Sequence, residues 1–477
     1  MAPTTKTRPD QSARAEADRP PRRWAAVLWF GPGLIWMISS VGSGSVLFTP
    51  RVGSRFGYAL LWLAVVTVFL MWAMIKEVGR YTVVTGRTIL DGFRDIPGPR
   101  HWALWAIFLP QLAAAVVTIA GIASLVGSAL VVLLPGPHLA YAIGLTVVSA
   151  VLVVSGRYHR VERITIALSG VLVAAVMAAA ASVAPRPSRV MRGMVPAVPD
   201  DFDLYFVLPW VGFILAGAAG IMWFSYWVAA RGFGGPVTGK VHDADGSDGS
   251  GSPEERTARL QSWNRLMTSV AAVGTIGGGL VIVSFLILGT ELLRPEGLVP
   301  EGIDVARDLS LLLSEVWGQV GEWLLIVGVV VALWGTILAN QDGWGRTFAD
   351  ATIMLTALDT ERPSRLGRRL RTIGRRANID LCDRATLKNA YAVVATTAVP
   401  VLALFLVRDP VEILSVGGII AAVHTPVVVA LVLTLNRQLP APLRPTWPSI
   451  TVLALAGLWY GLFAAVYLLD LVGLRLT

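Results

Sequence analysis

The chain is predicted to be an all-α integral membrane protein, eleven spans arranged as a 5+5 inverted repeat with one span appended. Three observations predict it. Apolar residues make up 55% of the 477 and charged residues only 15%, and the mean hydropathy is +0.64, outside the range of ordinary soluble domains. Apolar stretches of roughly twenty residues, each long enough to cross a bilayer as a helix, recur along the chain. The first and sixth of them are interrupted by glycines, and paired breaks in corresponding halves are the mark of an inverted-repeat transporter.

Residues 1–23 are polar and rich in Pro and Arg, and read as a disordered cytoplasmic N-terminus. No short signal-peptide core precedes Trp24, so the first span is read as its own insertion signal. The transmembrane domain covers 24–473. Its spans fall at 24–48, 58–75, 102–134, 139–155 and 164–184 in repeat one, and at 206–230, 266–292, 318–341, 389–407 and 412–435 in repeat two. The appended span is 449–473. The segment His242 to Glu255, rich in Gly, Ser and Asp, reads as a surface linker.

Lys and Arg set the orientation. One set of connections carries Lys76, Arg80, Arg87 and Arg94, then Arg157, Arg160 and Arg163, then Lys240, Arg256, Arg259 and Arg265. The same set ends in an Arg-rich loop from Arg362 to Arg384. The alternate connections are nearly uncharged, or balance Arg186, Arg189 and Arg192 with Asp200, Asp201 and Asp203. Basic loops stay inside, which places the N-terminus in the cytoplasm, the C-terminus outside, and the chain in a bacterial inner membrane. The net charge of +9 is accounted for by this topology, and no nucleic-acid partner is implied. The expected partners are membrane lipids and a small substrate, with no obligate protein partner. Cys382 stands alone and cannot form a disulfide within the chain.

Gly42-Ser43-Gly44-Ser45 lies in the middle of span 1 with no ionisable side chain. Backbone freed by such a sequence cannot face lipid and must be buried in protein or line a cavity. Close helix packing is the alternative use of small residues, but four in a row exceed one packing face. Span 6 carries Gly212, Gly217 and Gly220, leading into Ile221-Met222-Trp223-Phe224-Ser225-Tyr226. The two breaks are expected near Gly42–Ser45 and Gly220–Trp223. The substrate-binding candidates are Ser40, Gly42, Ser43, Gly44, Ser45, Met222, Trp223, Ser225 and Tyr226. Arg51 is a candidate vestibule charge, against an interfacial role. Asp342 could couple an ion, but a solvated helix end is the simpler reading, as a satisfied core histidine is for His424. Lys76-Glu77 is expected to close span 2 as a cytoplasmic pair. No nucleophile elbow, P-loop or paired intramembrane carboxylate points to an enzyme, no histidine pair has metal-ligand spacing, and no cofactor is implied.

Gly31-Pro32-Gly33-Leu34-Ile35, the run Gly53 to Trp62, Thr85-Gly86-Arg87 and Asp409-Pro410 together resemble the Nramp family of divalent-metal transporters across most of 24–473. The resemblance implies a LeuT-type fold with substrate held between unwound segments of spans 1 and 6. It also exposes losses. The family's Asp-Pro-Gly-Asn metal motif falls on Gly42, Ser43, Gly44 and Ser45, keeping only Gly44. Its Met-Pro-His falls on Ile221, Met222 and Trp223, and its proton-relay acids fall near Gly121 and Ser124.

Without a carboxylate, a divalent cation would meet an uncompensated desolvation cost. A helix N-terminus near Ser45 and the hydroxyls of Ser40, Ser43, Ser45 and Ser225, with Tyr226 and Trp223 as donors, suit an anion instead. The sequence therefore reads as a secondary transporter of a small inorganic anion, bicarbonate first. The alternatives are a divalent cation such as Mg2+, held by carbonyl and serine oxygens, and a transport-inactive sensor or scaffold.

Overall fold

In lipid every backbone N–H and C=O must be satisfied within the segment that carries it, which leaves helices as the solution for apolar runs such as these. The computed structural model describes residues 20–21, 26, 28–39, 42–235, 252–358, 360, 363–377 and 379–473, and among them no strand occurs. The proposed disordered N-terminus and most of the His242–Glu255 linker lie outside the described residues. The linker's end is corrected: Pro253–Glu255 already belong to a helix, started by a capping box between Ser252 and Glu255.

Span 1 is present as Gly31–Ser39 and a second piece that runs from Gly44 to Phe56. Spans 2 to 5 are Leu61–Thr85, Trp102–Leu133, His138–Val154 and Tyr158–Ser182. Span 6 is Leu204–Phe213 followed by Gly217–Arg231, and span 7 is Pro253–Leu288, continued by a π turn to Leu293. Span 8 is the far part of Val305–Thr356, beyond a kink at Trp317 and Gly318. Spans 9 to 11 are Arg384–Leu406, Pro410–Arg437 and Trp447–Leu471. By length and composition, nine helices among the described residues could each cross a membrane, and His138–Val154 is a shorter apolar one.

Spans 3 and 10 form the centre, packing on each other, with span 8 against span 3 and span 5 against span 8. Their shared core includes Leu125, Leu172, Leu333 and Leu414. The outer face is apolar as well: Leu455, Leu458 and Leu462 of span 11 point outward, as lipid contact requires. Small residues bring the central helices close. A Cβ on Gly212 of span 6 would sit 1.9 Å from the carbonyl oxygen of Gly418 in span 10, so these two backbones meet directly.

Lys76 and Glu77 do not close span 2, which continues to Thr85. Glu77 is fully buried and takes Arg80 at 2.8 Å and Lys76 at 3.5 Å. It also accepts from Ser449 of span 11 at 2.7 Å and Asn436 of span 10 at 3.2 Å. A carboxylate inside a bundle is tolerable only when so completely paired, and this one ties three spans together.

A cavity between two broken helices

Between the two pieces of span 1 the first described residue is Gly42, which sits in a turn and accepts from the N–H groups of Ser45 and Val46 as the second piece begins. The next turn, Gly44–Phe48, is a π turn, a form found often at functional sites. It aims the Gly44 carbonyl at Thr49, which donates through both its backbone N–H and its Oγ1 at 3.0 Å. The indole of Trp210 in span 6 donates to the same Oγ1 at 2.9 Å. Span 1 is thus fastened to the half of span 6 that precedes its break.

Span 6 breaks at Ile214–Gly217, not at Gly220–Trp223, where the helix is continuous. Leu215 and Ala216 take φ of +52° and +65°, and Gly217 follows at +54°. Two successive non-glycine residues in the left-handed region store strain of a kind that concentrates at functional sites. Gly220 serves packing instead, since a Cβ there would lie 3.1 Å from the Trp36 ring of span 1. The breaks touch: a Cβ on Gly44 would be 2.6 Å from the Phe213 carbonyl oxygen, and Phe48 stacks on Phe213 at 5.9 Å.

Beside this junction lies a cavity of about 180 Å³ walled by spans 1, 3, 5, 6, 8 and 10. Of the predicted residues, Gly42, Ser43, Gly44, Trp223 and Tyr226 line it. The others do not. Ser45 and Met222 are buried in packing. Ser225 faces the short helix Ile89–Arg94, accepting from the Ile89 N–H at 3.2 Å and donating to the Met222 carbonyl at 2.6 Å. Ser40 lies outside the described residues. Arg51 is no vestibule charge: it is 5% exposed, donates to the Pro300 carbonyl at 2.7 Å, pairs with Glu301 at 3.0 Å, and lies over the Phe206 ring. It locks span 1 to span 6 and to the chain ahead of span 8.

Beyond Asp342 of span 8, the polar wall holds residues missed from sequence: Gln111 and Thr118 of span 3, Glu162, Thr165 and Ser169 of span 5, Thr336 and Asn340 of span 8. Gln111 donates to His424 Nδ1 at 3.1 Å, and His424 Nε2 donates to the Ala106 carbonyl at 3.1 Å. The carbonyl can only accept and the Gln111 amide nitrogen can only donate, so this histidine carries its proton on Nε2, leaves Nδ1 as an acceptor, and is neutral. Trp344 donates to Gln111 Oε1 at 3.3 Å and its ring packs on that of Trp223 at 5.2 Å. Trp223 Nε1–H is buried on the cavity wall with no acceptor among the described residues.

Asp342 is not a solvated helix end. Span 8 runs past it to Thr356, and the side chain is 2% exposed, paired with Arg346 and with Lys388 of span 9 at 2.5 Å. Alanine at 342 is expected to cost about 1–3 kcal/mol, because Arg346 and Lys388 lose their acceptor but stay 41% and 21% exposed, read as a lower midpoint of thermal unfolding in detergent. Double replacement of Asp342 and Lys388 by Asn and Met is expected to recover much of it.

A second depression lined by Asp91, Asp350 and Arg384 shares Tyr226, Trp227 and Arg346 with the cavity, which therefore leads toward the end carrying the Arg-rich loops. There Asp350 accepts from Tyr226 at 2.9 Å and holds Arg384 in a two-pronged pair.

A family model described as natural resistance-associated macrophage protein-like (Nramp) matches residues 33–469. A divalent metal cation transporter MntH of Chromohalobacter salexigens is 27% identical over 350 residues, 69% of this chain and 72% of that protein. The protein of the same name from Brucella suis is 29% identical over 195 residues, 39% of this chain and 42% of its own length. Among solved structures, the Eremococcus coleocola manganese transporter superposes with a TM-score of 0.65 at 13% identity, over 92% of this chain and 88% of that one. The nucleobase-cation-symport-1 transporter Mhp1 gives 0.51 at 14% identity, over 91% and 88%. These likenesses show a LeuT-type fold.

Proposed function

The chain belongs to the Nramp family of membrane transporters, which are not enzymes, and on that premise we propose that it carries a divalent cation, held with part of its water shell, through the cavity between the breaks of spans 1 and 6. The observation that carries the reading is the lining: Ser43, Gln111, Thr118, Thr165, Ser169 and Asn340 present neutral oxygens around the junction of the two breaks. The metal transport named for the relatives in Chromohalobacter and Brucella supports a cation as cargo. Mg2+ gives up its water reluctantly and is commonly held through it. Hydroxyls and amides can bond those waters, and the donor-only Trp223 N–H can meet a water oxygen but never a bare cation. Glu162 of span 5 adds a carboxylate-bearing residue to the same lining.

A softer, partly dehydrated ion fits less well. Met222 is fully buried and off the lining, and among the described residues no group of three His, Cys, Asp or Glu could hold a metal. Met222→Ala is therefore expected to leave the ion preference unchanged, with Mg2+ carried in preference to Cd2+ and Mn2+. Bicarbonate remains the second reading, on one observation: residues 42–45 hold no carboxylate while Trp223 offers a donor with no acceptor among the described residues. We place the protein in the bacterial inner membrane, with the Arg-rich loops on the cytoplasmic side.

The test is flux into proteoliposomes, with Mg2+, Mn2+ and Cd2+ followed by enclosed indicators and bicarbonate by internal pH. Saturable Mg2+ entry above empty vesicles is expected. A bicarbonate-dependent pH change without Mg2+ entry would move the assignment to the anion, and neither signal would sink both readings.

A further inference from the structure

The connection between spans 8 and 9 takes no part in the cavity, and we propose that its helix, Arg365–Ala377, lies in the interfacial plane and binds the headgroups of anionic phospholipids. Its place is fixed from both ends. Span 8 ends at Thr356 and span 9 begins near Arg384, so a helix of thirteen residues, about 20 Å long, is held at the membrane boundary.

One face presses on the protein. A Cβ on Gly367 would sit 2.5 Å from the Thr356 carbonyl oxygen, and one on Gly374 2.6 Å from that of Ile379. Leu370 packs against Ala349, Leu358 and Leu387. Arg371 donates to the carbonyls of Leu358 and Thr360, both at 2.8 Å. These contacts fix the helix against rolling, so the composition of the remaining face is what its surroundings meet.

That face carries Leu366, 44% exposed, and Ile373, 55% exposed, seven residues apart and so aligned, with Ile379 at 47% beyond the end. Beside them Arg365, Arg368, Arg369, Arg375 and Arg376 are exposed, and the helix holds no acidic residue. Water would solvate the guanidinium groups but not the aliphatic chains. A headgroup layer accommodates both, with Leu366 and Ile373 entering the acyl boundary while arginine forks take phosphate oxygens. Five exposed positive charges on a helix with no acidic residue of its own select anionic over zwitterionic lipid.

The full chain is to be placed in nanodiscs of phosphatidylcholine alone or mixed with phosphatidylglycerol, with the thermal midpoint and the retained phosphatidylglycerol as readouts. Phosphatidylglycerol is expected to raise the wild-type midpoint, more at low salt than at high. The variant with Arg368, Arg369, Arg375 and Arg376 all changed to Gln should match wild type in phosphatidylcholine, lose the rise and retain less phosphatidylglycerol. Leu366→Ser with Ile373→Ser should lose part of it, and carries the test alone if the arginine variant does not fold. Free glycerol phosphate at equal concentration should leave the midpoint unmoved. Equal responses of wild type and variants would overturn the proposal. So would the same shift produced in phosphatidylcholine discs by free glycerol phosphate, or by heparin, which would assign the face to a soluble acidic partner.

Discussion

Gly44→Ala is expected to abolish transport in vesicles while the protein still inserts and purifies. The new methyl would stand 2.6 Å from the Phe213 carbonyl oxygen and 2.9 Å from its Cβ, a distance that backbone must move to relieve. Overpacking of this kind costs about 1–3 kcal/mol, and here it falls on the contact between the two breaks, where any movement displaces the cavity wall. Gly31→Ala is the control, because a Cβ there meets nothing within 4 Å. Unimpaired flux in Gly44→Ala would show that the junction of spans 1 and 6 does not shape the path. Gly44→Asp adds a charge to the same clash, so the comparison of Asp with Ala isolates the electrostatic effect. Two unit charges about 4 Å apart at an effective dielectric near 20 interact by roughly 4 kcal/mol. A cation should therefore be bound more tightly by Asp than by Ala at 44, and an anion excluded.

Glu77→Ala should give the largest loss of stability, about 3–5 kcal/mol, visible as a sharply lower unfolding midpoint or as failure to purify. It removes the counter-charge of Arg80 and Lys76, whose side chains are only 16% and 18% exposed. It also leaves the Ser449 hydroxyl without its acceptor. Glu77→Gln should be milder, because an amide oxygen can still accept from Ser449. Because Glu77 binds span 2 to spans 10 and 11 and lies off the cavity, the ion preference of any surviving protein should not change. A wild-type midpoint in Glu77→Ala would show that the burial of this carboxylate has been misread.

Spans 2, 7 and 8 extend about ten or more residues past the ends expected for them, but the apolar helices and several of their boundaries were legible in sequence, because a run of some twenty apolar residues in lipid has one backbone solution. Residues 206–230 against Leu204–Arg231 and 412–435 against Pro410–Arg437 are examples. The fold, with its paired breaks, followed from Gly42–Ser45 and the glycines of span 6, and Gly42, Ser43 and Gly44 do line the cavity. The place of the second break did not follow. Glycine marks either a positive φ or a close approach, and sequence cannot tell Gly217, which takes the first, from Gly220, which takes the second. Leu215 and Ala216 enter the left-handed region because their surroundings impose it, against their own preference. The charged residues were decided by tertiary structure too. Arg51, Glu77 and Asp342 each looked like a residue at a solvated end, and each is buried against a partner from a distant part of the chain, Glu301, Ser449 and Lys388. Hydropathy is a local sum and records where a helix can cross. Which face of it a charge occupies, and what meets it there, arises only when separate helices of the chain are packed together.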